Sequence, residues 1–295
     1  NTVIIWHYGY IYTAYSHLAK GSISVNEGEI VRRNQQFAKV GNSGRSPYPH
    51  LHFQVQFSPE LGAPTMPSEI LHYISQESSG FYYHTHGVPN KNQRIKSMEA
   101  ELALFDAASF PIGGIWKFDI SDGRKQWIET WEADIDFAGN RYLYCQENKA
   151  KINYFVSNKV LLLLDYKGKP ETGLESFFMA LPRLPFTSTK VKWTENMPAE
   201  IMLKGIRRFI FNILEPFHSL AVLNAELEFM ENVSQSFTIS TQIKLGGPLS
   251  KKDNDDITAI TVFQRYSGLK SLKLLKENKT IFELNARNIH VENNH

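Results

Sequence analysis

Pro49-His50-Leu51-His52-Phe53-Gln54-Val55-Gln56-Phe57 is the stretch that decides how this chain is read. Side chains alternate along a strand with a period of two. His50, His52, Gln54 and Gln56 therefore share one face, and Leu51, Phe53, Val55 and Phe57 share the other, which can be buried. Two neighbouring imidazoles stand at the start of a strand, just after the tight turn Gly41-Asn42-Ser43-Gly44. That arrangement suits one histidine as a metal ligand and the other as a proton-handling group. A polar strand face with no chemistry is the competing reading of the same pair.

Working outward, Thr2–Trp6, Tyr10–His17, Ser22–Val25, Ile30–Val31 and Gln36–Val40 read as short strands, and Pro67–Tyr73 as a closing turn with a short helix. Residues 76–97 are polar and contain Gly, Ser and Asn, and are expected to form a linker. Residues 98–295 then carry strand signals at 114–120, 126–137, 140–147, 152–157, 159–166, 219–229, 236–245 and 257–266. A hairpin spans 272–284 and turns at Glu277-Asn278. Helices are expected near Met98–Phe105 and over Glu200–Ile213. The regular spacing predicts an all-β antiparallel sandwich or open barrel with one or two short helices. The fold class is mainly β throughout.

Composition sets bounds. A formal charge of +2 argues against a nucleic-acid binder driven by bulk charge. The single cysteine, Cys145, excludes a disulfide framework and a cysteine-based zinc site, and it reads as a packed thiol. No apolar run is long enough for a spanning helix, and no signal peptide is visible. The chain opens without Met inside a strand-like segment, so residue 1 reads as a truncation point. Any targeting or membrane-anchoring segment is expected upstream.

The first 75 residues resemble the lysostaphin-type (LytM-type) zinc metalloendopeptidases, which cut peptide cross-links of bacterial peptidoglycan. Tyr15-Ser-His-Leu18, Val25-Asn-Glu-Gly-Glu-Ile-Val31, Val40-Gly-Asn-Ser-Gly-Arg-Ser46 and His50-Leu-His-Phe53 follow the family's order, after an opening strand and turn, Thr2–Gly9. The resemblance implies a partial antiparallel peptidase core at 1–75 and an accessory domain at 98–295. It implies His52 as a Zn2+ ligand and His17 and His50 as catalytic histidines that activate the attacking water or stabilise charge on the carbonyl oxygen. It also implies a peptidoglycan peptide as partner and a bacterial envelope location, periplasmic or extracellular. The family's other two zinc ligands, a histidine and an aspartate four residues later, have no counterpart here, since no Asp precedes Asp106. This chain alone is therefore expected to bind zinc weakly and to be inactive. Two alternatives are a degenerate family member that acts as a scaffold or activator, and an envelope ligand-binding β protein with an apolar cavity between residues 110 and 290.

Other candidates read blandly. His7 is a surface or packing histidine, His84 and His86 are loop histidines, His72 sits on a short helix, and Arg45 is a solvent-facing charge. Asp253–Asp256 lacks the Gly and closing Glu of an EF-hand loop and reads as a solvated turn. Lys270–Lys279 is a charged hairpin, and Trp116, Trp127, Trp131 and Tyr142 belong to a core more readily than to a glycan platform.

Overall fold

A computed structural model describes residues 1–199, 202–203, 210–211, 222–233, 236–249 and 256–287. The helix expected over Glu200–Ile213 lies almost wholly outside these residues, as does most of the acidic turn at 253–256. The chain forms two compact units, Asn1–Ile70 and Leu71–His295. Among the described residues no helix is long and apolar enough to cross a membrane.

The first unit is a three-stranded antiparallel sheet in the order β1 (Val3–His7), β2 (Ile11–Ser16), β3 (His52–Gln56). β1 pairs with β2 from Val3↔Tyr15 to His7↔Ile11, and β2 pairs with β3 from Tyr12↔Gln56 to Ser16↔His52. The segments at 22–25, 30–31 and 36–40, expected as strands, are not ladder strands. Single backbone bonds hold the first and the last of them, from Ala19 N to Lys39 O at 2.9 Å and from Ser24 N to Phe37 O at 2.9 Å. Gly and Asn turns interrupt the chain too often there for pairing to propagate. The apolar face of β3, which the alternation leaves free to be buried, is mostly exposed. Leu51, Phe53 and Phe57 are exposed, because this unit is a single layer on that side. Phe53 instead packs against Tyr15 with ring centres 5.3 Å apart.

The second unit is built on one antiparallel-dominated sheet, not on two packed ones. Its strands are β4 (Ile70–Glu77), β5 (Gly80–Gly87), β6 (Arg94–Ser97), β7 (Ile115–Ser121), β8 (Gln126–Ile135), β9 (Arg141–Cys145), β10 (Lys151–Val156), β11 (Val160–Lys167), β12 (Arg183–Pro185), β13 (Lys192–Met197), β14 (Val222–Val233), β15 (Ser236–Gly246), β16 (Ile257–Gln264), β17 (Gly268–Lys276) and β18 (Lys279–Ala286). The order runs β12 back to β7, then β18 back to β13, then β5, β4 and β6, so two meanders meet where β18 pairs with β7. Among the described residues β12 and β6 are the outer strands, and the sheet does not close.

Two helices, α1 (Leu102–Ala108) and α2 (Gly173–Ala180), lie against the sheet. α2 touches β10 and β11 of one meander and β16 and β17 of the other, so the sheet curls around it. Alternation explains the curl's inner wall. β15 turns Phe237, Ile239, Thr241, Ile243 and Leu245 inward, and β14 does the same with Leu223, Ala225, Leu227 and Phe229. Phe177 of α2 sits 5.7 Å from Trp131 and from Phe110, and 6.4 Å from Phe263, ring centre to ring centre. Among the described residues the concave side is thus occupied by a helix and aromatic rings.

Three local expectations change. Residues 76–97 are not a linker, because β4, β5 and β6 form a paired sheet edge there, with Tyr73↔Ser97 through Gln76↔Arg94 in register. Pro67–Tyr73 does not form a helix but leads into β4, on which His72 lies. His84 and His86 lie on β5, not in a loop. His84 Nε2 bonds Ser75 Oγ at 2.8 Å, and its ring stacks on Tyr73 at 4.5 Å. Of the three strands, only β6, at the sheet's edge, is exposed at every residue.

The expected turn at 277–278 is present. Glu277 and Asn278 connect Lys276 to its partner Lys279 with φ of 49° and 61°. Two positive φ angles in a two-residue loop define a type I′ turn, which suits Asn or Gly better than Glu. Glu277→Asn is expected to stabilise the second unit by about 0.5 kcal/mol, from the relieved left-handed strain. Urea unfolding of wild type and variant, compared at the midpoint, checks this.

Candidate functional site

The histidines of the first unit converge because of two backbone features. Ser16 ends β2 opposite His52, and the next residue, His17, takes a left-handed conformation at φ 62°. A non-glycine residue there costs about 1–2 kcal/mol, and such outliers cluster at functional sites. The turn carries the chain on to Leu18, which is buried and bridges Val40. Gly41 then bridges His50. A Cβ at Gly41 would fall 2.5 Å from the Cα and N of Ala19, so only glycine lets the His17 and His50 segments lie on either side of it.

The result brings all three sequence-identified residues together. The ring of His17 is 4.8 Å from that of His50 and 5.8 Å from that of His52, centre to centre. His17 and His50 are half-buried, and His52 is exposed. A carbonyl oxygen only accepts, so each carbonyl bond assigns a tautomer. His17 Nδ1 donates to Ser43 O at 2.8 Å, and His50 Nδ1 donates to Tyr48 O at 2.8 Å. Ser46 Oγ gives its proton to the same Tyr48 O at 2.8 Å and leaves a lone pair 3.1 Å from His50 Nδ1. In both residues the neutral ring therefore keeps Nε2 as the unprotonated nitrogen. His52 is held differently, through Nε2, which lies 3.0 Å from Gln54 Oε1.

The arrangement can move protons, with two Nε2 atoms able to accept one and a third imidazole within reach of the same small volume. As a metal site it is partial. Among the described residues no group of three His, Cys, Asp or Glu is placed to hold a metal ion. Catalytic zinc needs three protein ligands, and His52 supplies one imidazole of the right kind.

The remaining candidates stand apart from chemistry. His7 Nε2 bonds Thr13 Oγ1 at 2.8 Å within the sheet. His72 Nδ1 bonds Tyr83 Oη at 2.8 Å, and burial, with the Arg183 and Lys159 charges, holds its pKa below the usual imidazole value. Cys145 is fully buried, and burial pushes its thiol up to about 12, as a packed rather than a reactive cysteine requires. Trp131 is fully buried, in keeping with a core role. The sequence placed Gln54 and Gln56 on the histidine face without giving them a task. It gave no sign that the Ser43 and Tyr48 carbonyls orient the rings.

Residues 1–64 match the peptidase family M23. The chain is also similar to the peptidoglycan DD-endopeptidase ShyB of Vibrio cholerae serotype O1, with 44% identity over 55 residues. That match covers 19% of this chain and only 12% of the relative's length.

Proposed function

We propose, from the premise that the segment 1–64 at the N-terminal end belongs to peptidase family M23, that the protein is a zinc-dependent endopeptidase cutting peptide cross-links of bacterial peptidoglycan. In this reading the first unit, Asn1–Ile70, is part of the peptidase domain, the second, from Leu71 on, is an all-β accessory domain, and the site of action is the cell envelope. The observation that carries it is the convergence of three imidazoles, two tied through Nδ1 and one through Nε2.

In this reading His52 would serve as a zinc ligand, the one imidazole of that kind that this segment offers. Zinc at such a site supplies Lewis acidity that polarises the scissile carbonyl. His50 and His17 do the proton work. One Nε2 takes the proton of the attacking water and returns it to the leaving amine. The other, once protonated, donates from Nε2 to the carbonyl oxygen as its charge grows. Only one of the two can be the base in a given step, which gives each ring a distinct task.

The test uses the full-length protein and purified peptidoglycan, with released peptides read by mass spectrometry. Cleavage is expected, lost on chelation, restored by zinc and absent in His52→Ala. A full-length protein that neither binds zinc nor releases peptides, yet stimulates another wall hydrolase, would establish the scaffold reading instead.

A further inference from the structure

The role of His52 depends on which of its nitrogens is protonated, and its one hydrogen-bond partner, Gln54, does not settle that alone. An amide side chain can present either its oxygen or its NH2 to a ring nitrogen. The next residue on the same face, Gln56, resolves it. Gln56 is fully buried, and its Nε2 lies within hydrogen-bond distance of two backbone carbonyls, Ser58 O and Glu60 O, the latter at 2.9 Å. Both carbonyls can only accept, so the NH2 of Gln56 must point at them and its Oε1 must point away, toward Gln54. Gln54 Nε2 then donates to Gln56 Oε1 at 2.6 Å and to a third carbonyl, Ala63 O, at 3.1 Å. That leaves Gln54 Oε1 facing His52 Nε2 at 3.0 Å, where an oxygen demands a proton on the ring nitrogen.

We propose that Gln54 and Gln56 are positioning residues. They form an amide relay, anchored on the carbonyls of Ser58, Glu60 and Ala63, that fixes the proton of His52 on Nε2 and leaves Nδ1 bare. The relay gives His52 the tautomer opposite to that of His17 and His50, whose Nδ1 protons are held directly by carbonyls. The His17 ring lies within 6 Å of both the His50 and the His52 ring, and the three together offer two Nε2 lone pairs and one Nδ1 lone pair. An exposed imidazole without the relay would exchange between tautomers and turn about its ring axis. The period-two spacing of 52, 54 and 56 is what allows the relay, since it stacks the three side chains along one side of β3. The tautomer itself follows from the hydrogen bonds alone. Its consequence for metal binding rests on the endopeptidase reading above, because partners that orient a ligating histidine are worth about 10–100-fold in metal affinity.

The test is made on the full-length protein labelled with 15N-histidine and freed of metal, at about pH 8.5, well above the ordinary imidazole pKa of ~6.5. Long-range 1H–15N correlation reads the protonated nitrogen of each ring. Wild-type His52 is expected as a single Nε2–H tautomer, with His17 and His50 as Nδ1–H. Gln54→Leu, which removes the acceptor at a half-buried position, is expected to turn His52 into an exchanging mixture and to leave the His17 and His50 signals in place as proof of folding. Gln56→Leu, which frees the Gln54 amide to rotate, is expected to do the same. A mixed or Nδ1–H His52 in the wild type, or a His52 spectrum unchanged in Gln54→Leu, would overturn the relay. Zinc titration of the same proteins separates the two claims. A fall in affinity of about 10–100-fold in Gln54→Leu supports both. A shifted tautomer with unchanged zinc affinity keeps the relay and overturns His52 as a ligand.

Discussion

Replacing His50 by alanine in the full-length protein is expected to slow hydrolysis of wall peptides by about 10²–10⁴-fold, the usual worth of a positioned acid–base group, and to leave stoichiometric zinc in place. The reason lies in how His50 is held. Its Nδ1 proton is committed to Tyr48 O, with Ser46 Oγ beside it, so only Nε2 is free, on a ring 4.8 Å from that of His17. A group held this way accepts and returns protons. His52→Ala is expected to fail in the opposite order, losing the metal first and activity with it. Metal content measured alongside turnover distinguishes the two. Normal cleavage by the His50 variant, or loss of its zinc, would mean that the roles of the two histidines are assigned wrongly.

The largest expected effect on stability is at Glu129, in the middle of β8. Its carboxylate is fully buried and accepts four hydrogen bonds from neutral donors: Trp127 Nε1 at 3.0 Å, Trp131 Nε1 at 2.9 Å, Asn148 Nδ2 at 2.9 Å and Gly173 N at 2.9 Å. The last is the first amide of α2, a position where the helix dipole favours negative charge. The fit is close enough that a Cβ at Gly173 would lie 2.7 Å from Glu129 Oε2. One side chain therefore ties β8, the β9–β10 turn and the start of α2 together. Glu129→Ala strands four donors, of which those of Trp131 and Gly173 are buried, at roughly 1–3 kcal/mol for each unsatisfied buried group. Destabilisation of about 3–5 kcal/mol is expected, and a thermal midpoint lower by on the order of 10 °C. Differential scanning calorimetry checks it. A loss under about 1 kcal/mol would show that the indoles and the helix end find other partners or water.

The parts of this fold that were legible in the sequence obey local rules. Strands such as β15 and β16 alternate between inward and outward residues because one face meets the core, and Glu277-Asn278 marks a hairpin by chemistry alone. What failed to register obeys tertiary rules. β6 is exposed at every residue, so its composition reads as a linker. α2, Gly-Leu-Glu-Ser-Phe-Phe-Met-Ala, is apolar on nearly every side because it is enclosed by the sheet, and it therefore lacks the one-sided stripe by which a surface helix is recognised. Leu51 and Phe53 alternate as a buried face should, yet no layer of their own unit covers them. The histidine cluster was visible as a motif, since period two placed His50 and His52 together and the family pattern added His17. Tautomers were not visible, because they depend on where the carbonyls of residues 43, 48, 58, 60 and 63 point.

The junction of the two meanders has a consequence for how the protein is made. β7 and β18 are hydrogen-bonded neighbours near the middle of the sheet, yet Ser121 and its partner Glu283 are far apart along the chain. While the polypeptide emerges from the ribosome, each meander carries a bare flank that only the other can cover. The ladder between the two meanders cannot form until β18 has been made. Pairing across so long a stretch of chain is slow, so the bare flanks are exposed to mispairing until β18 docks.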